Sequence, residues 1–491
     1  MAFLELHHRA DWQGEPTLAV FDFGKTNAKM LVFTKEGQVV GTSRTAPRWH
    51  EDGKHRLLDD AHLWDWMRSS LKEAAQKLAT DRVMITTHGC TFALIADDHL
   101  ALPILDYEFP VPDDVRVAFR DVAPDFSETG SPDLPNGMNY GLQVFWRSIA
   151  DRQDFASATA ILPYPQFWTW RLTGVPLSEV SYLGCHSHLW SPFKRDFSSL
   201  VDRCGWREKM PRLERSGVSV GTFALQLDDG TSTTMTVHNG VHDSNAALSF
   251  YVMLGYTSFS LISTGTWVVL FNTDAPLSVL DKDRDMLANV TVDQVPVVTA
   301  RFMGGREYDL ISQNARVPIT IDDIESAISK GQMALPSFAA GGPFPDQTGR
   351  LCGPPPADER ARAAIATLYL ACMTSITLDL VQARNTIIID GGLANNPIYP
   401  QLVAALRHNQ TVLLNVDAEG TSAGAASLAF ETFMASPFTD PCIVCQSVAI
   451  EGLHAYFTEW RAQIVHPSIL KEDTKPQSPE TMLLGDNVSP R

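Results

Sequence analysis

Apolar positions along this chain change their spacing in a way that marks out two similar halves. Residues 17–21 are apolar and partly β-branched and stop at Asp22-Phe23-Gly24, so they predict a buried strand delivering an acidic side chain into a tight turn. Residues 28–34 and, after a Lys35-Glu36-Gly37 turn, residues 38–43 complete a predicted antiparallel meander. From Asp59 onward Leu63, Met67, Leu71, Ala74 and Leu78 recur at helical spacing, and residues 83–87 read as the next strand. The layout then repeats. Residues 259–262 predict a strand, Ser263-Thr264-Gly265-Thr266 a polar turn, and 267–271 a returning strand. A long helix is expected over 358–383, a strand over 386–389 ending in Asp390-Gly391-Gly392, and another over 411–416. Gly420 to Ala426 are all small residues, which would let a helix pack closely on a neighbour.

The pattern therefore predicts an α/β protein of two lobes on one plan. The junction falls near 249–257, giving lobes over 1–250 and 251–450 and a partly ordered extension over 451–491. Residues 341–356 are rich in Gly and Pro and read as an ordered loop, while 471–491 are polar and interrupted by Pro476, Pro479 and Pro490, as in a weakly ordered tail.

Composition narrows the function. With 491 residues and 44% of them hydrophobic, each lobe can hold a substantial core. A net charge of −18 without a basic cluster excludes a general nucleic-acid binder, since neutralising phosphates takes grouped Lys and Arg. No uninterrupted apolar run is long enough to span a bilayer, and the first residues, with His7, His8 and Arg9, lack a secretory pattern. A cytoplasmic protein with no membrane partner is expected. Seven cysteines scattered from Cys90 to Cys445 do not form a disulfide framework in a chain of this length.

Three Gly-containing turns, each ending a strand, suit a nucleotide site, because backbone N–H groups reach phosphate oxygens only where side chains are small or absent. They are Asp22-Phe23-Gly24-Lys25-Thr26-Asn27, Ser263-Thr264-Gly265-Thr266 and Asp390-Gly391-Gly392-Leu393-Ala394-Asn395. Each alone is a weak signal, since a Gly in a turn is structural more often than not. Asp243, in Val241-His242-Asp243-Ser244-Asn245, could be a general base or simply the cap of a helix starting near Ser244.

Taken in order, these segments resemble the FGGY carbohydrate kinases of the actin, sugar kinase and heat-shock ATPase superfamily. The family's first phosphate motif is matched by Asp22, Gly24, Thr26, Asn27 and Lys29, its second hairpin by Thr264, Gly265 and Thr266 after Ser263, and its adenosine turn by Gly391, Gly392 and Asn395. The segment around Asp243 resembles the one supplying the family's catalytic Asp. The resemblance, running from about Thr17 to Ala429, implies two ribonuclease H-like (actin-like ATPase) lobes with a cleft between them, ATP on the second lobe and sugar on the first. It implies Asp243 as base, Asp22 with Asp243 at a Mg²⁺ site, and a small-molecule sugar as partner; it allows a homodimer. His242 is similar to the residue before the catalytic Asp in rhamnulose kinases. Residues 86–92 are similar to that subfamily's sugar-pocket turn, which brings in His88, Gly89, Thr91 and Phe92; His88 and Thr91 stand where an aromatic and an Asp are usual. Gln166, Trp168 and His186 join them as candidate pocket residues near a Trp168-to-Gly174 segment similar to a family helix end. The expected reaction is phosphorylation of the 1-hydroxyl of a deoxy-ketose such as L-rhamnulose or L-fuculose. Xylulose, glycerol and erythritol remain open as alternatives, as does a catalytically silent sugar sensor.

Other signals fail on context. Gly24-Lys25-Thr26 has Ala19 where a P-loop needs its first Gly. Gly217-Val218-Ser219-Val220-Gly221 follows Arg212 to Arg215, too charged for the buried strand of a nucleophile elbow. Cys442 and Cys445 lack a second ligand pair at zinc spacing and read as core cysteines. No helix-turn-helix precedes Thr17, and too few residues follow Ala429 for a peptide-binding domain of the chaperone type.

Overall fold

A computed structural model describes residues 4–7, 14–417, 419–430 and 439–464. Strands β1 (Thr17–Phe23), β2 (Ala28–Phe33) and β3 (Val39–Thr45) form the antiparallel meander. Helix α1 (Asp60–Leu78) follows, its first turn closed by the Asp59 carboxylate, which accepts the His62 N–H at 3.0 Å. The helix buries Leu63, Met67 and Leu71, each worth roughly 1.5–3 kcal/mol. The chain returns as β4 (Thr80–Thr87), parallel to β1. Strands β5 (Ser219–Gln226) and β6 (Ser232–His238) extend the sheet, whose order is Glu5–Leu6, β3, β2, β1, β4, β6, β5. Val241–His242 pairs beside the end of β4 and leads directly into helix α2 (Asp243–Met253).

The second sheet is built likewise. Strands β7 (Phe259–Thr264), β8 (Val268–Asn272), β9 (Met286–Val290) and β10 (Pro296–Phe302) are antiparallel neighbours. After helix α3 (Glu359–Leu380), β11 (Thr386–Gly391) and β12 (Val412–Asn415) add in parallel to β7, and helix α4 (Gly420–Phe430) follows. The strand order is β9, β10, β8, β7, β11, β12, Cys442–Val444. In both sheets the first strand of a meander is flanked by a parallel strand entering after a helix, so the two lobes share one plan.

Three large cores hold this arrangement among the described residues. One surrounds the first sheet and α1, and one surrounds the second sheet and α3. The third lies between the sheets, where α2 and α4 meet Val20, Met84, Leu261 and Ile388. Gly424 makes that contact possible: a Cβ there would lie 1.9 Å from the Ala246 carbonyl oxygen. By length and composition α3 is apolar enough to cross a membrane, unlike the sequence expectation that no such segment exists; 89% of its apolar window is buried inside the second lobe.

Between β4 and β5 the chain forms elements that alternation does not announce. A small sheet of Phe92–Ala96, His99–Leu102 and Ala160–Pro163 packs with helices Tyr140–Ala150 and Tyr164–Thr173. The Gly- and Pro-rich stretch 341–356 is tied down by Arg350–Cys352, which pairs with Met333–Leu335. Of the expected C-terminal extension, Leu453–Ile464 is a helix whose buried Trp460 donates its Nε1–H to the Ala334 carbonyl at 2.7 Å. The tail expected over 471–491 lies outside the described residues. Cys442 and Cys445 are half-buried at the sheet edge and not in the core, because β12 covers only one side of them.

Candidate functional site

Strand order sets the second and third glycine turns side by side, and the first faces the second across the space between the lobes. Gly24 N–H donates to the Asn27 carbonyl at 2.9 Å and closes the β1–β2 turn, leaving Thr26 and Asn27 exposed. Gly265 N–H does the same to the Trp267 carbonyl at 2.8 Å, leaving Gly265 and Thr266 exposed. Thr264 pairs with Gly391 on the parallel neighbour β11, so the second and third turns are adjacent. Gly391 has φ of 90°, and a Cβ there would come within 2.1 Å of the Thr264 carbonyl oxygen. That close approach demands glycine. Gly392 and Asn395 follow on the open side, Asn395 exposed.

A cavity of about 530 Å³ opens between the lobes, lined from the first lobe by Gly24, Thr26, His88, Gly89, His242 and Asp243. The second lobe contributes Thr264, Gly265 and Thr266 to the same cavity. Asp243 is the first residue of α2, and its Oδ1 accepts from the Ser244 N–H and hydroxyl. Burial raises its carboxyl to about 6, against the pull of the Ser244 N–H. Its neighbour His242 is buried, and desolvation pushes the imidazole down to about 3, so the ring is neutral. The Asn245 amide donates to His242 Nδ1 at 3.1 Å, which places the ring proton on Nε2, 3.3 Å from Asp243 Oδ1. Gly89 is small because a Cβ would sit 2.8 Å from that same Nε2.

Asp22 is the penultimate residue of β1 and stands opposite Lys29 across the hairpin. Its carboxyl is raised to about 6, chiefly by burial, with the Lys29 ammonium opposing the rise and the carboxylates of Asp243 and Glu419 adding to it. Lys29 lies 3.5 Å from Asp22 and also pairs with Glu419 of the second lobe. Burial alone would weaken its ammonium, but these two carboxylates raise it overall. Asp22 and Asp243 are thus hard oxygen donors close enough to feel each other, which fits a Mg²⁺ ion bound by one or two carboxylates with waters and phosphates completing its shell. Among the described residues no group of three His, Cys, Asp or Glu could form a fully protein-built metal site.

Several candidates from the sequence do not reach the cavity. Gln166 is fully buried and spends its amide on Asn239 at 3.1 Å and the Gly240 carbonyl at 3.0 Å. Trp168 is a core residue stacked on Phe23 at 4.6 Å. Phe92 points into the first core near Tyr140, and the Thr91 backbone is held by the Tyr182 hydroxyl. In each case burial in the first lobe wins over exposure to the cleft. Thr264 reaches the cavity, but its hydroxyl donates to the Asp390 carbonyl at 2.6 Å and accepts the Leu393 N–H at 3.0 Å, so it joins two turns instead of reaching phosphate. His88 and His186 do line the cavity; burial lowers His88 to about 4 and His186 further.

Other lining residues were not foreseen. Lys25 pairs with Asp106 and lies 3.8 Å over the Trp49 ring. Lys25 and Trp267 adjoin the glycine turns, a signal that could have found them; Tyr107, Met138 and Arg301 come from elements that no motif marks.

A family model described as the C-terminal domain of the FGGY carbohydrate kinases matches residues 256–437. Among solved structures, a carbohydrate kinase from Novosphingobium aromaticivorans is 30% identical, with a TM-score of 0.79 over 91% of this chain and 98% of that one. A ligand-bound xylulose kinase from Lactobacillus acidophilus (13% identity, TM-score 0.74, 91% and 97% of the two chains) shares the fold. So does an ADP-bound glycerol kinase from Plasmodium falciparum (12% identity, TM-score 0.74, 91% and 97%). No curated protein matched in a sequence search.

Proposed function

The chain belongs to the FGGY carbohydrate kinases, and from that premise we propose that Asp243 is the general base in transfer of the ATP γ-phosphoryl group to the 1-hydroxyl of a deoxy-ketose of the rhamnulose or fuculose type. The observation that carries the reading is the shared cavity: the Asp243 carboxylate opens into the same hollow as the Gly24–Thr26 and Gly265–Thr266 turns. Phosphoryl transfer demands alignment and charge stabilisation more than covalent help from the protein. The sugar hydroxyl gives its proton to Asp243, its oxygen bonds to the γ-phosphorus, and the bond from that phosphorus to the bridging oxygen breaks, releasing ADP. A carboxyl raised to about 6 by burial is ionised at neutral pH yet basic enough to take the proton.

The neutral His242 keeps Nε2 beside Asp243, 3.3 Å from its Oδ1, without adding a charge. Thr26, Asn27, Gly265 and Thr266 offer exposed donors for phosphate oxygens, Lys29 supplies a cation beside them, and Gly391, Gly392 and Asn395 border the place for adenosine. Asp22 with Asp243 would hold Mg²⁺, which when bound would supply positive charge against the phosphates. The deoxy character rests on the wall made by Cys90, Tyr107 and Met138, an apolar cluster at the cavity against which a methyl group packs without leaving a polar group unpaired.

The test is Asp243→Asn, assayed by coupled ADP release with L-rhamnulose, L-fuculose, D-xylulose and glycerol. Loss of base and alignment lowers kcat by about 10²–10⁴-fold with ATP affinity retained. Turnover near the wild-type rate in that variant sinks the assignment, and turnover with glycerol but no ketose sinks the substrate class.

A further inference from the structure

Arg301 is a buried lining residue of the second lobe whose chemistry the phosphoryl transfer above leaves unused. It lies on β10 in register with Val269 of β8, and both face the cavity with Thr299. Its side chain is 7% exposed. Nε donates to Asp285 Oδ1 at 3.2 Å, while Asp285 Oδ2 accepts the Gly342 N–H at 2.8 Å, so both oxygens of that carboxylate are occupied. The guanidinium lies 4.4 Å over the Trp267 ring. Nη2, however, is buried with no hydrogen-bond partner. The nearby thiols of Cys90 and Cys185 are kept protonated by burial and are weak acceptors.

A buried guanidinium donor without an acceptor is costly, and native structures carry few of them. Here the group is also held rigid, clamped by Asp285 at one edge and Trp267 beneath, as a fork prepared for an oxygen that the protein does not supply. We propose that Arg301 is a substrate-binding residue, donating from Nη2 to a sugar oxygen other than the reacting hydroxyl. The proposal rests on the sugar-kinase reading and deepens it. Because Asp243 belongs to the first lobe and Arg301 to the second, the sugar bridges the cleft, and its binding energy favours the closed arrangement. Trp267, directly after Thr266 in the phosphate hairpin, packs against Cys90, Tyr107 and Met138 of the first lobe, so the same closure brings the hairpin to the sugar.

The test is calorimetric binding of L-rhamnulose, L-fuculose, D-xylulose and glycerol, together with analogues of each ketose lacking one hydroxyl. The proteins are wild type, Arg301→Lys, and Arg301→Met combined with Asp285→Asn, the last leaving no unpaired buried carboxylate. Removing a charge-assisted hydrogen bond weakens the bound sugar about 10- to 100-fold in both variants, while the dissociation constant for ATP does not move. One hydroxyl-deleted analogue loses affinity for wild type but not for the variants, a coupling that a purely structural arginine would not show. Unchanged sugar affinity in both variants, or equal losses across all analogues, overturns the assignment of Arg301 alone. Failure of wild type to bind any of the sugars overturns the kinase reading and this proposal with it.

Discussion

Replacing Gly424 by Ala asks whether the packing between the two sheets positions the base. Helix α4 meets α2 at Gly424, where an added Cβ would lie 1.9 Å from the Ala246 carbonyl oxygen and 2.6 Å from its carbon. An ordinary contact starts near 3.4 Å, so one methyl group asks for about 1.5 Å of separation between backbones that cannot rotate away. Overpacking of this kind costs about 1–3 kcal/mol, or roughly 2–4 °C of melting temperature per kcal/mol in a lobe of about 200 residues. The functional effect is larger than the stability effect. Asp243 begins α2 three residues before Ala246, and a misplacement of about 1 Å lowers turnover by about 100-fold. Gly424→Ala is therefore expected to melt a few degrees lower and to lose kcat about 100-fold while KM for ATP changes little. The measurements are thermal denaturation by circular dichroism and coupled ADP release at saturating ATP and sugar. A variant with wild-type melting temperature and kcat would refute the claim that this helix contact sets the position of Asp243.

Protonation of Asp243 removes the base, so kcat/KM for the sugar falls about tenfold per pH unit below about 6, with Asp22 titrating at the same value and steepening the limb; an acid limb centred near 4 would contradict this. The same raised carboxyls bind protons in the folded state that the unfolded chain does not, so their contribution to stability declines as pH rises from about 4 to about 6. Asp243→Asn removes that penalty, and its gain in melting temperature over wild type, read by scanning fluorimetry without ligands, is larger at pH 7 than at pH 5. Thr264→Val strips the hydroxyl joining the second and third turns and leaves the Leu393 N–H unpaired; it is expected to cost about 1–3 kcal/mol and to raise KM for ATP more than KM for the sugar.

Much of this protein was legible along the chain because its signals are local. Residues 17–21 and 259–262 are apolar runs that end in small polar turns, and a run of that kind can only be a buried strand handing its last residues to a surface. Asp22, Gly24, Gly265, Gly391 and Asp243 all sit at such ends, and their order carried the family resemblance. Helix α1 was equally open to reading, since a two-sided helix repeats its apolar face every three or four residues.

What tertiary structure decided is which polar side chains face the cleft. Gln166 and Trp168 belong to a helix with eight of its ten residues buried, so no periodicity separates a pocket face from a core face. Arg301 lies on a strand whose residues other than Pro296 are all buried, and nothing in its neighbours distinguishes it from an ion-paired core residue. Its meaning appears only when β10 is laid beside β8, Asp285 takes one edge of the guanidinium and the opposite lobe closes the cavity over the other. A strand's sequence records how each residue lies relative to its own sheet; which empty space that face encloses depends on a partner surface hundreds of residues away, and no local pattern encodes it.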